Sequence, residues 1–394
     1  MDRLARRMLH KRLGQLCWGR IVLAEKDSNS AFGCQRGPEA TVQIHNPRFY
    51  SALAFGGSLA AAESYVAGLW DCDELTDLVR ILARNRDVLE RIEGPLAFLA
   101  RPVRRMLHWL NRSTLAGARE NIAAHYDLGN DFYSLWLDET MTYSAAVFDP
   151  QHESLAAAQE NKYQRLCEML DLQPTDRLLE IGTGWGGLAV HAAGRFGCDV
   201  TTTTISAAQH DYAVARFQRR GLSDTIHLLS SDYRKLTGTF DKLISIEMIE
   251  AIGHQYLDTF MQVCSDRLVD GGAAAIQAIT VPDAHYATHV KTVDFIKRYI
   301  FPGSCLVSVR ALRESAGRAG LEVVEVREIG LEYARTLRLW RQRFCARLDE
   351  VKQLGFDEAF IRLWIYYFSY CEGAFAEKYI SDVQVLLRKT ERPS

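Results

Sequence analysis

The chain has 394 residues, enough for two or three domains with a sizeable core, and its 48% hydrophobic and 24% charged residues match a globular protein rather than a disordered one. A formal net charge of −2 supplies no global basic field for nucleic acid, and no apolar run reaches the roughly 18 residues of a membrane span. The nine cysteines are scattered without a C-x-x-C pair or a zinc spacing, so reduced thiols in a cytoplasmic protein are expected, with neither a disulfide framework nor a metal site.

Near the start, Arg3, Arg6, Arg7, Lys11 and Arg12 alternate at helical spacing with Leu4, Met8, Leu9, Leu13 and Leu16. No apolar core follows these basic residues, so they do not read as a secretory signal. Strand-like pieces such as 41–45 come next, then a Gly56-Gly57 turn and helical stretches over 60–69 and 74–89, with Gly94-Pro95 as punctuation. A second basic amphipathic segment spans 101–112, where Val103, Met106, Leu107 and Leu110 fall at i, i+3, i+4 and i+7. This pattern suits a helix lying on an anionic membrane surface, and equally a solvated helix covering the first domain. Residues 1–115 thus read as a smaller, mainly helical N-terminal domain, and 116–394 as a second domain.

After Arg119 strands and helices alternate. Strand candidates lie at 177–181, 200–205, 226–230, 242–247, 272–280 and 321–328, with helices around 187–195, 207–220 and 255–268. Such alternation predicts an α/β fold with a doubly wound, mostly parallel sheet, which binds ligands beyond the carboxyl ends of its strands. The run LLEIGTGWGG at 178–187 sits at one such end, with Gly182, Gly184 and Gly186 behind an apolar stretch carrying one acid, Glu180. Glycines let a backbone turn tightly and approach a ligand. A helix starting there aims its free N–H groups and positive dipole end at whatever is bound. With the acid inside the strand and G-x-G-x-G spacing, the turn resembles the nucleoside-binding turn of class I S-adenosylmethionine methyltransferases, whose Rossmann-like sheet is of the seven-stranded type.

The segment AHYDLGNDFYSLWLDETMTYSAAVF at 124–148 strongly resembles the cyclopropane-fatty-acyl-phospholipid synthase family. TISAAQ at 204–209, SSDYRKL at 230–236 and SIEMIEAIG at 245–253 have family counterparts. So do FIKRYIFPGS, YARTLRLWRQRF and YYFSYCEGAFAEKYI further on, and NPRFYSALAFGGSLAAAESYVAGLWDCDELTDLVR before them. The likeness therefore covers nearly the whole chain. It also accommodates a second strand that ends in TTTTIS without a carboxylate, because Thr204, Ser206 and Gln209 offer neutral hydrogen bonds there. By resemblance, S-adenosylmethionine contacts fall to Tyr143, Ser144, Glu180, Gly182, Gly184, Trp185, Gly186, Thr204, Gln209 and Asp232. On residue chemistry alone Tyr143 and Trp185 could be core aromatics, and Asp232 a turn or cap residue.

Members of this family transfer the sulfonium methyl to a cis double bond in a phospholipid acyl chain. An alkene is a poor nucleophile, so alignment and exclusion of water must help, and the resulting carbocation needs a negative or π-rich surface. A base then removes a proton. Loss from the new methyl closes a cyclopropane; loss elsewhere gives an exomethylene or a shifted double bond. The family holds a bicarbonate ion as that base, in a cradle of glutamate, tyrosine, histidine, a backbone amide and the cysteine of a Y-S-C motif. The matching positions are Glu250, Tyr333, Gln277 in place of histidine, the amide of Ile279, and Ala145 in place of cysteine; Ala251 stands where a histidine often follows the glutamate. Gln277 can donate a hydrogen bond but shuttles no proton, and Ala145 offers no side-chain contact. Bicarbonate binding is weakened accordingly, and Glu250 is the expected general base, directly or through an anion or water. Burial would raise its pKa, and its alternative role is that of a structural acid after the fourth strand. Cys371 matches a cysteine near the family's substrate pocket, although a lone cysteine on an apolar helix is usually a small hydrophobe.

The resemblance implies an enzyme peripheral on the inner face of the cell membrane, meeting an anionic surface and unsaturated phospholipid, and a homodimer. The expected product is a cyclopropane chain. The same transfer could instead yield a methylene- or methyl-branched chain or a furan precursor. From other classes, a small-molecule methyltransferase and a non-catalytic S-adenosylmethionine-binding protein stay open.

Overall fold

In the computed structural model, which describes residues 1–88 and 128–390, the elements fall into two units. The basic segment at 101–112, Gly94-Pro95, the expected boundary at 115–116 and the first residues of the HYDLGNDFY motif lie outside the described residues.

The first unit combines the described part of Met1–Leu128 with Val293–Pro302 and Trp340–Tyr379. Its sheet contains β1 (Arg20–Glu25), β2 (Ser28–Gly33), β3 (Glu39–Ile44) and β4 (Trp70–Cys72) in the order β2-β1-β3-β4. Alternation places Ile21 and Leu23 of β1, and Ala40 and Val42 of β3, on the buried face. β1 and β3 are parallel while the outer pairs are antiparallel, so this domain has a true sheet beside its helices. The expected Gly56-Gly57 turn is a kink inside a single helical run, Arg48–Val66, where Gly57 adopts φ 63 and ψ −152; that conformation is open to glycine and little else. Helix Asp2–Leu13 turns Ala5, Leu9 and Leu13 onto this unit's own core. Those three positions are therefore used internally, leaving Leu4, Arg3, Arg7 and Lys11 exposed. Leu9 and Leu13 help to line an apolar cavity of about 140 Å³, together with Ile21, Val42, Trp70 and Tyr366. Helices Leu75–Arg84 and Glu358–Ala376 pack so closely that a Cβ on Gly373 would lie 2.7 Å from Val79. Across them the buried Glu372 carboxylate accepts from Thr76 Oγ1 at 3.0 Å and Arg341 Nη2 at 2.9 Å.

The second unit comprises Gly129–Thr292, Gly303–Leu339 and the described part of Ile380–Ser394. Its seven strands are β5 (Arg177–Ile181), β6 (Asp199–Thr204), β7 (Ile226–Ser230), β8 (Phe240–Ile246), β9 (Leu268–Thr280), β10 (Leu321–Glu328) and β11 (Ser381–Lys389). They run in the order β10-β11-β9-β8-β5-β6-β7. β5 to β9 are mutually parallel, and β11 is antiparallel to both of its neighbours. Strands covered on both faces are apolar at successive positions. Leu178, Ile244 and Ala275 join one core with helices Leu155–Met169 and Gly187–Phe196, and the adjacent Leu179, Leu243 and Ala274 join the other with helices Leu257–Arg267 and Val309–Arg318. The strand order reverses at β5, with β6 on one side and β8 on the other, which opens a crevice beyond their carboxyl ends. The six expected strands correspond to β5–β10, and β11 is an addition to them. Among the described residues no helix is long and apolar enough to cross a membrane.

Candidate active site

β5 delivers the glycine turn to that crevice. Gly182, Gly184 and Gly186 all have positive φ, at 101, 52 and 82. Only two of the three are packed against: a Cβ at Gly186 would lie 2.6 Å from the Phe217 ring, and one at Gly182 would lie 3.3 Å from Met248, whereas one at Gly184 would meet nothing within 4 Å. Gly184 thus leaves room for a ligand at the start of helix Gly187–Phe196.

Glu180 is buried within β5, where its Oε2 accepts from Thr202 Oγ1 at 2.6 Å. Burial pushes its carboxyl up to about 8. Trp185 donates its indole N–H to Asn130 Oδ1 at 2.7 Å, and its ring lies 5.0 Å from Tyr133, itself 5.5 Å from Tyr143. The Ser144 hydroxyl accepts from the buried Lys162 Nζ at 2.6 Å. At the end of β6, Thr204 Oγ1 donates to Gln209 Oε1 at 3.2 Å, and Ser206 caps helix Ala207–Arg219. Asp232 caps a short 3-10 turn and is gripped by Arg234 through Nε at 2.9 Å and Nη2 at 2.6 Å. Arg234 draws its carboxyl down to about 2.

A second cluster forms where β8 ends. Glu247, the first residue after β8, has a left-handed backbone at φ 48. Its Oε1 accepts from the Ala145 N–H at 2.7 Å and Gln277 Nε2 at 2.8 Å, and its Oε2 accepts from Tyr333 O–H at 2.8 Å. Gln277 is fully buried in β9, and its Oε1 accepts from Gln384 Nε2 at 3.0 Å. The same amide lies 3.2 Å from Asp382 Oδ2 on β11. Burial, followed by the charges of Glu247 and Glu250, holds Asp382 well above the ordinary carboxylate range. Burial also pushes Lys162 down to about 8, against the pull of Glu247, Asp138 and Asp382.

Glu250 stands one turn further on, in the 3-10 helix Ile249–Ile252. Its Oε1 accepts from the Ile279 N–H at 2.5 Å, and its buried Oε2 has no partner among the described residues. Burial, and then the charge of Glu247, raise its carboxyl to about 8.

The structure thus joins Glu250 to Ile279 as expected positions, but it gathers Tyr333, Gln277 and Ala145 on Glu247 rather than on Glu250. Cys371 belongs to the first unit, on helix Glu358–Ala376, where burial and the charge of Asp294 push its thiol up. Sequence reasoning did not single out Glu247, Lys162, Asp382 or Gln384. The available signals were an acid three residues before Glu250 and the alternating polar positions of Ser381–Lys389.

A family model described as mycolic acid cyclopropane synthetase matches residues 114–385. Tuberculostearic acid methyltransferase UfaA1 of Mycobacterium tuberculosis is 38% identical over 370 residues, covering 89% of this chain and 83% of its own. Cyclopropane-fatty-acyl-phospholipid synthase of Escherichia coli K12 is 33% identical over 382 residues, covering 94% of each. Among solved structures, mycolic acid cyclopropane synthase CmaA1 complexed with SAH and CTAB aligns at a TM-score of 0.63 and 29% identity, covering 68% of this chain and 98% of that one.

Proposed function

From the premise that this chain belongs to the mycolic acid cyclopropane synthetase family and is an S-adenosylmethionine-dependent methyltransferase acting on acyl chains, we propose that it methylates a cis double bond in an unsaturated phospholipid. The observation that carries the chemistry is Glu250, a buried carboxyl with one oxygen held by the Ile279 amide and the other without a partner among the described residues. The open turn at Gly184 fits a nucleoside ligand, because its backbone can approach without a side chain intervening. When bound, S-adenosylmethionine supplies an electrophilic methyl group.

With that methyl added to the alkene, the acyl chain would carry a carbocation, which must then lose a proton. Glu250 Oε2 takes the proton, and the C–H electron pair left behind closes the ring or forms a new double bond. The Tyr133, Tyr143 and Trp185 rings lie together in this unit and offer a surface for positive charge. The raised pKa suits Glu250 to a base working near neutral pH.

Ring closure is the first reading of the product. The second, an exomethylene or methyl-branched chain, is favoured by Gln277 and Ala145 at the histidine and cysteine positions, and by the resemblance to a tuberculostearic acid methyltransferase. We assign the lipid-facing role to the N-terminal domain at the inner face of the membrane, on the exposed Arg3, Arg7 and Lys11 and the apolar cavity of the first unit. The deciding experiment incubates purified protein with labelled S-adenosylmethionine and vesicles of cis-monounsaturated phospholipid, then takes proton NMR of the released fatty acids. High-field cyclopropyl protons mean ring closure and vinylidene protons mean the branched product. Absence of label from lipid sinks the acyl-chain reading.

A further inference from the structure

Three hydrogen-bond donors from distant parts of the catalytic unit end on one carboxylate. The Ala145 N–H, the Gln277 amide and the Tyr333 hydroxyl reach Glu247 at 2.7, 2.8 and 2.8 Å. A set of that kind would hold any small planar oxyanion. These are also three of the five positions that the family resemblance gives to bicarbonate, so an external ion does not fit while Glu247 takes their donors. Resting on the methyl-transfer reading, we propose that the Glu247 carboxylate is a built-in anion that fills this cradle, freeing the enzyme from bicarbonate and leaving Glu250 to take the proton directly.

The backbone supports a dedicated role. Glu247 sits at φ 48, a left-handed conformation that glycine adopts freely and a side-chain-bearing residue seldom does. Such conformations persist where the surroundings over-determine them, and they concentrate at functional sites. A glycine here would keep the backbone and empty the cradle. Glu247 is a positioning residue: it orients Tyr333 and Gln277, and its charge acts on Glu250. The charged and titratable groups around that pair are Asp382, Lys162 and Tyr333. Asp382, whose carboxyl burial and the charges of Glu247 and Glu250 hold toward the neutral form, adds no second anion to the cradle.

The test compares the wild-type chain with Glu247→Gly and Glu247→Gln in buffer freed of carbon dioxide, with and without added bicarbonate. Wild type should show the same rate in both. Glu247→Gly should lose roughly tenfold or more without bicarbonate and recover when it is added, and bicarbonate should raise the Tm of this variant alone. Glu247→Gln fills the space without the charge, and should move the acid limb of the pH–rate profile to lower pH. A wild-type rate that falls several-fold on removing carbon dioxide overturns the proposal. So does a Glu247→Gly protein indifferent to bicarbonate in both rate and Tm. If wild type labels no lipid, the reaction reading fails, while the melting shift still decides whether Glu247 holds an anion site closed.

Discussion

Gly184 and Gly186 lie two residues apart in one turn, and the structure predicts opposite consequences for the same added methyl. Both have positive φ, so alanine at either position carries a left-handed penalty of about 1–2 kcal/mol. At Gly186 the new Cβ would also lie 2.6 Å from the ring of Phe217, a buried residue on the core face of helix Ala207–Arg219. Overpacking of that kind adds about 1–3 kcal/mol, for a total of roughly 2–5 kcal/mol. At Gly184 nothing lies within 4 Å of the added atom, so only the backbone penalty applies, and the methyl instead enters the space read as the cofactor's. At about 2–4 °C per kcal/mol for a domain of this size class, Gly186→Ala should melt well below Gly184→Ala. Titration calorimetry with S-adenosylhomocysteine should show the reverse order of damage. Gly184→Ala should weaken binding about tenfold or more, since a single atom at a close backbone approach costs at least about 1.4 kcal/mol. Wild-type affinity in a folded Gly184→Ala protein would refute the placement of the ligand at this turn.

Two further outcomes follow from the acids. Glu250→Gln preserves the acceptor for the Ile279 N–H and removes the base, so kcat/KM should fall about 10²–10⁴-fold while S-adenosylhomocysteine binding stays near wild type; a loss of less than tenfold would exclude Glu250 as the proton acceptor. Because burial raises this carboxyl to about 8, the neutral form predominates below that pH, and the wild-type rate should climb with pH until about 8 and then level. In the first unit, Glu372→Ala strands the guanidinium of Arg341 and the hydroxyl of Thr76. Arg341 keeps 26% of its side-chain exposure, so partial rehydration should hold the cost to about 2–3 kcal/mol, below that of a fully buried broken pair; chemical denaturation measures it, and a change under 0.5 kcal/mol, the usual size at a bare surface position, would show that the contact carries no stability.

Much of the catalytic sheet was legible because strands alternate with helices and some are short apolar runs closed by a turn signal, as Leu178–Ile181 is by Gly182. β11 escaped for a local reason. The turn before it is made by Lys378 at φ 53, where glycine would normally mark the break, so no punctuation separates helix from strand. Gly56-Gly57 was read as a turn because glycine permits turns and kinks alike, and only packing decided for a kinked helix. The glycine turn and Glu250 carry their meaning within a few neighbouring residues. Glu247 does not: its partners come from positions 145, 277 and 333, and nothing short of the folded sheet brings those three together. Lys162 and Asp382 are of the same kind, since a buried charge looks like a surface one until its surroundings are known.

The place of β11 has a consequence for the order of assembly. It is the last described strand in the chain, yet it lies between β9 and β10 and bonds to both. As the protein leaves the ribosome, β5 to β9 can pair in sequence and form the glycine turn, but β9 must keep an unpaired edge and β10 must wait without a neighbour. Asp382 and Gln384 arrive only with that final strand. The nascent chain can therefore form the glycine turn before Asp382 and Gln384 reach the buried cluster, and the sheet is complete only once the last described strand has closed it from within.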